Sequence, residues 1–169
     1  TGNTYIVEFK KDLLSTGGSS SGEKFSDYIT IVRDNSEYKL NINSYVGKKE
    51  INKTTEKNGI AATVISKDMY MEHEIYNIKI KKKTNSDIIL DSKNSTTSTY
   101  LLDNNNVKYY AYLNEIPDNN LYIKYNYEKD LSIKFSSAYS SERNMKALYF
   151  SNLKMINSSN EEINFRVNI

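Results

Sequence analysis

Asp103-Asn104-Asn105-Asn106 lies between two runs rich in Tyr and Leu, "TYLL" and "VKYYAYL". Oxygen-bearing side chains in series could ligate a hard cation. Calcium takes roughly six to eight oxygens, usually from alternating acidic positions closed by a bidentate Glu. This stretch offers one carboxylate and then returns to strand-forming residues. Asp and Asn tolerate positive φ and bond their own backbone, so the four residues are expected to turn a hairpin. "GGSSSGEK" (17–24) follows a strand-like run and has Gly17 and Gly22 at phosphate-loop spacing. Glu23 stands where that loop needs its lysine, and Phe25 follows Lys24 where a metal-binding hydroxyl belongs. A flexible hairpin loop is the expectation there. His73, the only histidine, sits in "MEHEIYN". The zinc-protease pattern would require a second His at Asn77, and no Gly-x-Ser-x-Gly elbow presents a serine for His73 to activate. Glu115, Asp118, Glu128 and Asp130 could supply the paired carboxylates of a glycoside hydrolase only if two of them met across one cleft. No catalytic residue, cofactor site or metal site is therefore assigned from the sequence.

The elements that would position such groups follow a period of two. "YIVEF" (5–9), "DYITIV" (27–32), "YKLNINSYV" (38–46), "IYNIKI" (75–80), "STYLL" (98–102), "VKYYAYL" (107–113), "LSIKF" (131–135) and "ALYFSNL" (147–153) alternate or concentrate β-branched and aromatic residues. Polar turns separate them and no long helical stretch intervenes, which favours antiparallel strands in an all-β sandwich. The hydrophobic fraction of 38% understates the core, because 15 Tyr and 5 Phe bring large apolar rings. Pro117 falls in the loop "EIPDNN", where a missing donor costs nothing.

Composition narrows the partners. Twenty-three basic against 21 acidic residues leave a formal charge of +2, without the basic excess of a nucleic-acid binder. The chain has no Cys, which excludes disulfides and thiolate metal sites. No run approaches the roughly 18 apolar residues of a membrane span, so membrane attachment is expected only through an anchor outside these residues. Opening on "TGNTYIVEF", without an initiator Met or signal peptide, the chain reads as an excised or processed fragment. Its wealth of Asn, Lys, Ile and Tyr matches AT-rich codons, as in a low-GC bacterium. The polar stretch "GKKEINKTTEKNG" (47–59) reads as a linker. It divides a β meander (1–46) from a sandwich (57–169). A three-stranded meander has an apolar face that its own sequence cannot cover.

"NSDIILD" (85–91), "TYLLDNNNVKYYAYLNE" (99–115) and "LYIKYNYEKDLSIKFSSAYSSERNMKALYFSNL" (121–153) come in an order that carries a resemblance. It resembles the extracellular immunoglobulin-like domains of lipoproteins and anchored surface proteins of low-GC Gram-positive, clostridial-type bacteria. The likeness covers roughly 60–169. It implies an immunoglobulin-like antiparallel β-sandwich that is extracellular and anchored at the cell surface, and it implies no activity, since its motifs are structural. Residues 1–46 resemble the closing strands of a cystatin-like or nuclear-transport-factor-like α+β domain.

Within that frame the Tyr-rich strands are the candidate binding surface. If Val107, Tyr109, Ala111 and Leu113 face inward, Lys108, Tyr110 and Tyr112 face outward. By the same period Leu121, Ile123 and Tyr125 oppose Tyr122 and Lys124. Lys108, Tyr110, Tyr112, Tyr122 and Lys124 are thus the expected partner-binding set, for a protein or an envelope polymer. "KIKKK" (79–83) reads as a solvated sheet edge, or as an attraction for anionic polymers or lipid head groups. The expected role is a non-catalytic extracytoplasmic binding or scaffold module of a bacterial cell-surface protein. The alternatives are a sensory or assembly ectodomain of a membrane-anchored system, and a carboxylate-dependent hydrolase.

Overall fold

The computed structural model describes residues 4–8, 28–83, 85–90, 99–117, 121–156 and 162–169. The fold is all-β. The first three strands, β1 (Thr4–Glu8), β2 (Tyr28–Asp34) and β3 (Glu37–Leu40), form an antiparallel sheet in that order. Alternation sorts it into two faces. Tyr5 pairs with Ile31 and Ile31 with Leu40, so these three share a face. Tyr5, Val7, Tyr38 and Leu40 on this sheet are solvent-exposed, whereas Thr30 is buried. The apolar face expected to lack a cover in its own sequence is open among the described residues.

The next strands are β4 (Tyr45–Lys57), β5 (Ile60–Tyr70), β6 (Glu74–Lys82), β7 (Asp87–Leu90), β8 (Thr99–Asp103) and β9 (Lys108–Tyr110). A single 3₁₀ turn (Leu113–Glu115) precedes β10 (Tyr122–Ile123), β11 (Glu128–Phe135), β12 (Met145–Ile156) and β13 (Glu162–Asn168). Strands β11, β6, β5 and β4 make a four-stranded sheet in that order. The other six, β7 to β10 with β12 and β13, make a second sheet built on β12. There β13 holds one edge of β12, over Ala147–Lys154, while β8 and then β7 pair successive stretches of its other edge. The two sheets share one core. Ile60, Val64, Tyr76, Ile78, Ile80, Ile133 and Phe135 from the first meet Ile88, Leu90, Leu101, Leu148, Phe150, Phe165 and Val167 from the second. Tyr76 and Phe135 meet edge to face with centroids 5.4 Å apart.

The expected linker at 47–59 is instead strand. Residues 45–57 are β4, paired with β5 along almost their whole length, and Asn58-Gly59 turns the hairpin between them. Both turn residues have positive φ, 51° and 68°, the backbone that a two-residue hairpin matching strand twist demands. The sandwich therefore begins at Tyr45, not at residue 57. Its first strand escaped the periodicity because Lys49, Lys53, Thr55 and Lys57 hold positions that would carry apolar residues in a central strand. The expected single strand at 38–46 is likewise two, β3 and the start of β4, separated by a turn at Asn41–Ser44 where Ser44 has φ 53°.

"KIKKK" is not at an edge, since β6 runs between β5 and β11. Lys79 and Lys81 reach Glu128 across to β11, at 3.4 and 3.9 Å, and Lys83 reaches Glu56 at 2.7 Å. Lys82 is buried, with its ammonium 3.7 Å from Met155 Sδ.

Candidate functional site

Asp103 is 2% exposed and serves the hairpin from β8 to β9. Its Oδ1 accepts the N–H of Asn105 at 2.9 Å and of Val107 at 2.8 Å, and its Oδ2 accepts the Tyr109 hydroxyl at 3.1 Å. Burial raises the carboxyl pKa, but the Val107 N–H, the Tyr109 hydroxyl, the Asn105 N–H and the nearby Arg143 charge together hold it below its ordinary value. Asn106 takes φ 64°. Asp103 to Asn106 is a turn, with its one carboxylate already in use.

His73 lies flat on Tyr70, with ring centroids 4.5 Å apart. Burial and the charge of Lys134 lower its pKa, against the raising effect of Glu72 and Glu115. Glu72 accepts a hydrogen bond from the Tyr28 hydroxyl at 3.1 Å. Of the four carboxylates considered for hydrolysis, Asp118 lies outside the described residues, as does the loop 17–24. Glu115 pairs with Lys134 at 3.5 Å, while Glu128 and Asp130 are on the solvent side of β11 and share Lys79. These three do not line a common cleft. Among the described residues, no group of three or more His, Asp or Glu side chains is placed to hold a metal ion.

Sequence reasoning missed one buried carboxylate. Glu74, 3% exposed, binds Lys67 at 2.5 Å through Oε1. Its Oε2 accepts the Ser137 hydroxyl at 2.9 Å and the Tyr76 hydroxyl at 3.4 Å. A charge removed from water needs partners of this kind. The polar character of the "HEI" entry to β6 was the signal available for it.

The five residues expected to bind a partner do not form one surface. Lys108 and Tyr110 are exposed on β9. Tyr112 leaves that sheet. Its N–H bonds the Lys134 carbonyl at 2.8 Å, the Ser136 N–H bonds the Tyr110 carbonyl at 3.0 Å, and the Lys134 ammonium sits 5.2 Å from the Tyr112 ring centre. This crossing joins β9 to β11 and closes one side of the sandwich. Tyr122, on β10, lies opposite Ile89, which lies opposite Lys154, so its row meets β12 beyond the bulge between Phe150 and Leu153. The Tyr122 hydroxyl donates to Asp87, whose other oxygen takes the Tyr125 N–H at 2.8 Å. That bond from Tyr122, with the one from Tyr125, lowers the Asp87 pKa. Lys124 is exposed just past the end of β10. Two expected facings also fail. Val107 is 47% exposed because it belongs to the Asp103 turn, and Tyr125 is 57% exposed because β10 ends at Ile123 and a turn follows.

The structure instead gathers other residues around Lys108 and Tyr110. Tyr110 is opposite Tyr100, Tyr100 is opposite Tyr149, and Tyr149 is opposite Arg166. One row therefore crosses β9, β8, β12 and β13 on the outer face. Tyr100 and Tyr149 stack with centroids 4.9 Å apart and planes 13° from parallel, and Tyr110 meets Tyr100 edge to face at 6.1 Å. Lys108 Nζ lies 4.6 Å from the Tyr100 ring centre, and the Arg166 guanidinium 5.4 Å from that of Tyr149. Each such ring–ring or cation–ring contact contributes about 0.5–1.5 kcal/mol. The row is thus pre-ordered before any partner arrives. With the ring faces of Tyr100 occupied by Tyr149 and Lys108, it offers Tyr110, half-exposed rings and two cationic heads.

The opposite side of the sandwich, where β4 faces β13, has no joining backbone ladder among the described residues. Nearby, between β4 and β5 and the loop 139–144, a groove of about 580 Å³ opens, lined by Lys49, Ile51, Lys53, Lys67, Tyr76 and Arg143 among others. Comparison with protein families, with curated proteins and with solved structures finds no match to this chain.

Proposed function

We propose that this chain is a non-catalytic binding module of a bacterial cell-surface protein, with an immunoglobulin-like sandwich that works outside the cytoplasm and takes an envelope polymer on its outer face. The observation that carries the reading is the row of Tyr110, Tyr100, Tyr149 and Arg166 with Lys108 beside it, fixed across four strands of one sheet. Rigid strands hold such a surface without the ordering cost that a loop would incur on binding. Amphipathic Tyr rings and cationic heads suit a hydroxyl-rich, anionic polymer. The location is inferred from the sequence resemblance of residues 60–169 to surface-protein domains. Supporting the non-catalytic role, Asp103, Glu74, Glu115, Glu128 and Asp130 each already have structural partners.

Co-sedimentation with purified cell-wall sacculi from a low-GC Gram-positive bacterium tests it. The wild-type chain is expected in the pellet, and Lys108→Glu with Tyr110→Ser in the supernatant, still folded and melting cooperatively though at a temperature lowered by the loss of both contacts to Tyr100. Wild-type protein that stays in solution, or a variant that pellets equally, refutes the reading.

The assembly ectodomain is favoured by a different observation, the exposed Tyr5, Val7, Tyr38 and Leu40 of the first sheet. Its test is self-association. Light scattering should show an oligomer that Leu40→Lys with Tyr38→Lys dissolves, and a monomer at all concentrations removes this reading.

A further inference from the structure

We propose that the groove between the inner face of β4 and β5 and the loop 139–144 is a second binding site, separate from the outer face, and that it takes a small polyanion bearing carboxylate or phosphate groups. Lys49 lies directly across from Lys67, and Lys67 across from Tyr76, whose side chain is fully buried. All three therefore point to the inner side of the four-stranded sheet. Lys53 joins them, opposite the buried Val64.

This convergence depends on two irregularities at one level. On β4, Ile51 and Asn52 stand against the single Ile65 of β5, with Asn52 at φ 54°, and on β5 Ile65 is itself extra relative to β6. Bulges re-aim side chains. Beyond the one at Ile65 the inward positions of β5 become Lys67 and Met69, where the regular alternation would have continued from Val64 through Ser66.

Like charges directly opposite on one face of a sheet destabilise it. Lys67 is compensated by Glu74. Lys49 and Lys53 form no ion pair among the described residues. The carboxylate that lines the groove, Glu50, is already paired with Lys48 at 3.0 Å. Arg143 approaches from the facing wall, its guanidinium held by the Ala138 carbonyl and stacked 4.6 Å from the Tyr109 ring centre. Ser140, Ser141 and Tyr139 add hydroxyls, and Met69 and Met145 add apolar surface for a ligand body. The volume falls within the roughly 300–1,000 Å³ of small-molecule sites.

Inward lysines on an edge strand can also serve to block edge-to-edge pairing. That role accounts for Lys49 and Lys53 on β4. The pairing with Glu74 accounts for Lys67 on the inner strand β5, but edge protection does not account for Arg143, which comes from a loop on the facing wall.

Isothermal titration calorimetry of the full chain with citrate and with pyrophosphate, at constant ionic strength, tests the site and separates the two anion sources. Saturable binding of at least one is expected. Lys49→Ala with Lys53→Ala should weaken it about tenfold or more, whereas Lys108→Ala on the outer face should leave it unchanged. Both groove lysines are exposed, and Lys53→Ala alone keeps the test readable if the double variant misfolds. No saturable heat with either probe overturns the proposal, and so does equal affinity in the lysine variants. A double variant that oligomerises while the wild-type chain binds neither probe assigns the lysines to edge protection and likewise overturns it.

Discussion

Replacing Glu74 by Ala removes the acceptor at the centre of a buried polar cluster. Lys67 would keep its ammonium at 12% side-chain exposure with its nearest counter-charge gone. The hydroxyls of Ser137 and Tyr76 would lose the oxygen that both now use. Breaking a buried pair from one side costs about 3–5 kcal/mol, because the remaining charge stays desolvated. Lys67 borders the groove and can be partly rehydrated from it, which places the expected loss near the lower end, about 3 kcal/mol. Out of a total stability of about 5–15 kcal/mol, that is a large fraction. Urea melts of the wild type and Glu74→Ala measure it as a fall in midpoint at constant slope. Replacing both partners, Glu74→Leu with Lys67→Met, should recover much of the loss, since apolar residues of similar volume substitute for a buried ion pair at little cost. A Glu74→Ala variant within about 0.5 kcal/mol of wild type would refute the structural role and reopen Glu74 as a group held ready for chemistry.

Three further outcomes are expected. Because its pKa is lowered in the folded chain, His73 contributes stability that is complete above its ordinary 6.5 and is lost as pH falls towards the folded value. Melts of wild type and His73→Phe should therefore diverge as pH falls below the ordinary 6.5, with wild type losing more, and parallel curves would contradict this. Asp103→Ala should lower the melting temperature by freeing two backbone N–H groups and the Tyr109 hydroxyl, while calcium leaves the wild-type melt unmoved; a calcium-dependent rise of several degrees would contradict the turn. A chain beginning at Tyr45 should melt well above one beginning at Lys57, because the shorter one uncovers the edge of β5, and equal melting would show that β4 is dispensable.

Much of the architecture was legible because apolar alternation survives in β6, β8, β11 and β12, whose inner positions are Ile, Leu, Tyr and Phe. It failed for β4, where lysines occupy the inner face of an edge strand, although Asn58-Gly59 announces the hairpin. It failed for β5 because the extra residue at Ile65 shifts the parity midway and Ala61-Ala62 are weak strand formers. The turn at Asp103 was legible from residue chemistry alone. The outward facing of Lys108 and Tyr110 was legible from alternation, yet their alignment with Tyr100, Tyr149 and Arg166 was not, since pairing register across strands leaves no trace in local spacing. The same limit joined Tyr112 and Tyr122 to a surface that the strand order divides. The groove lysines converge only through two bulges that no periodicity describes.

The most direct test of the binding role is an amide and side-chain NMR titration of the intact chain with soluble fragments of sacculi. Perturbations confined to Lys108, Tyr110, Tyr100, Tyr149 and Arg166 are the expected result. No perturbation at saturating fragment, or one that maps elsewhere and spares that row, would contradict the account.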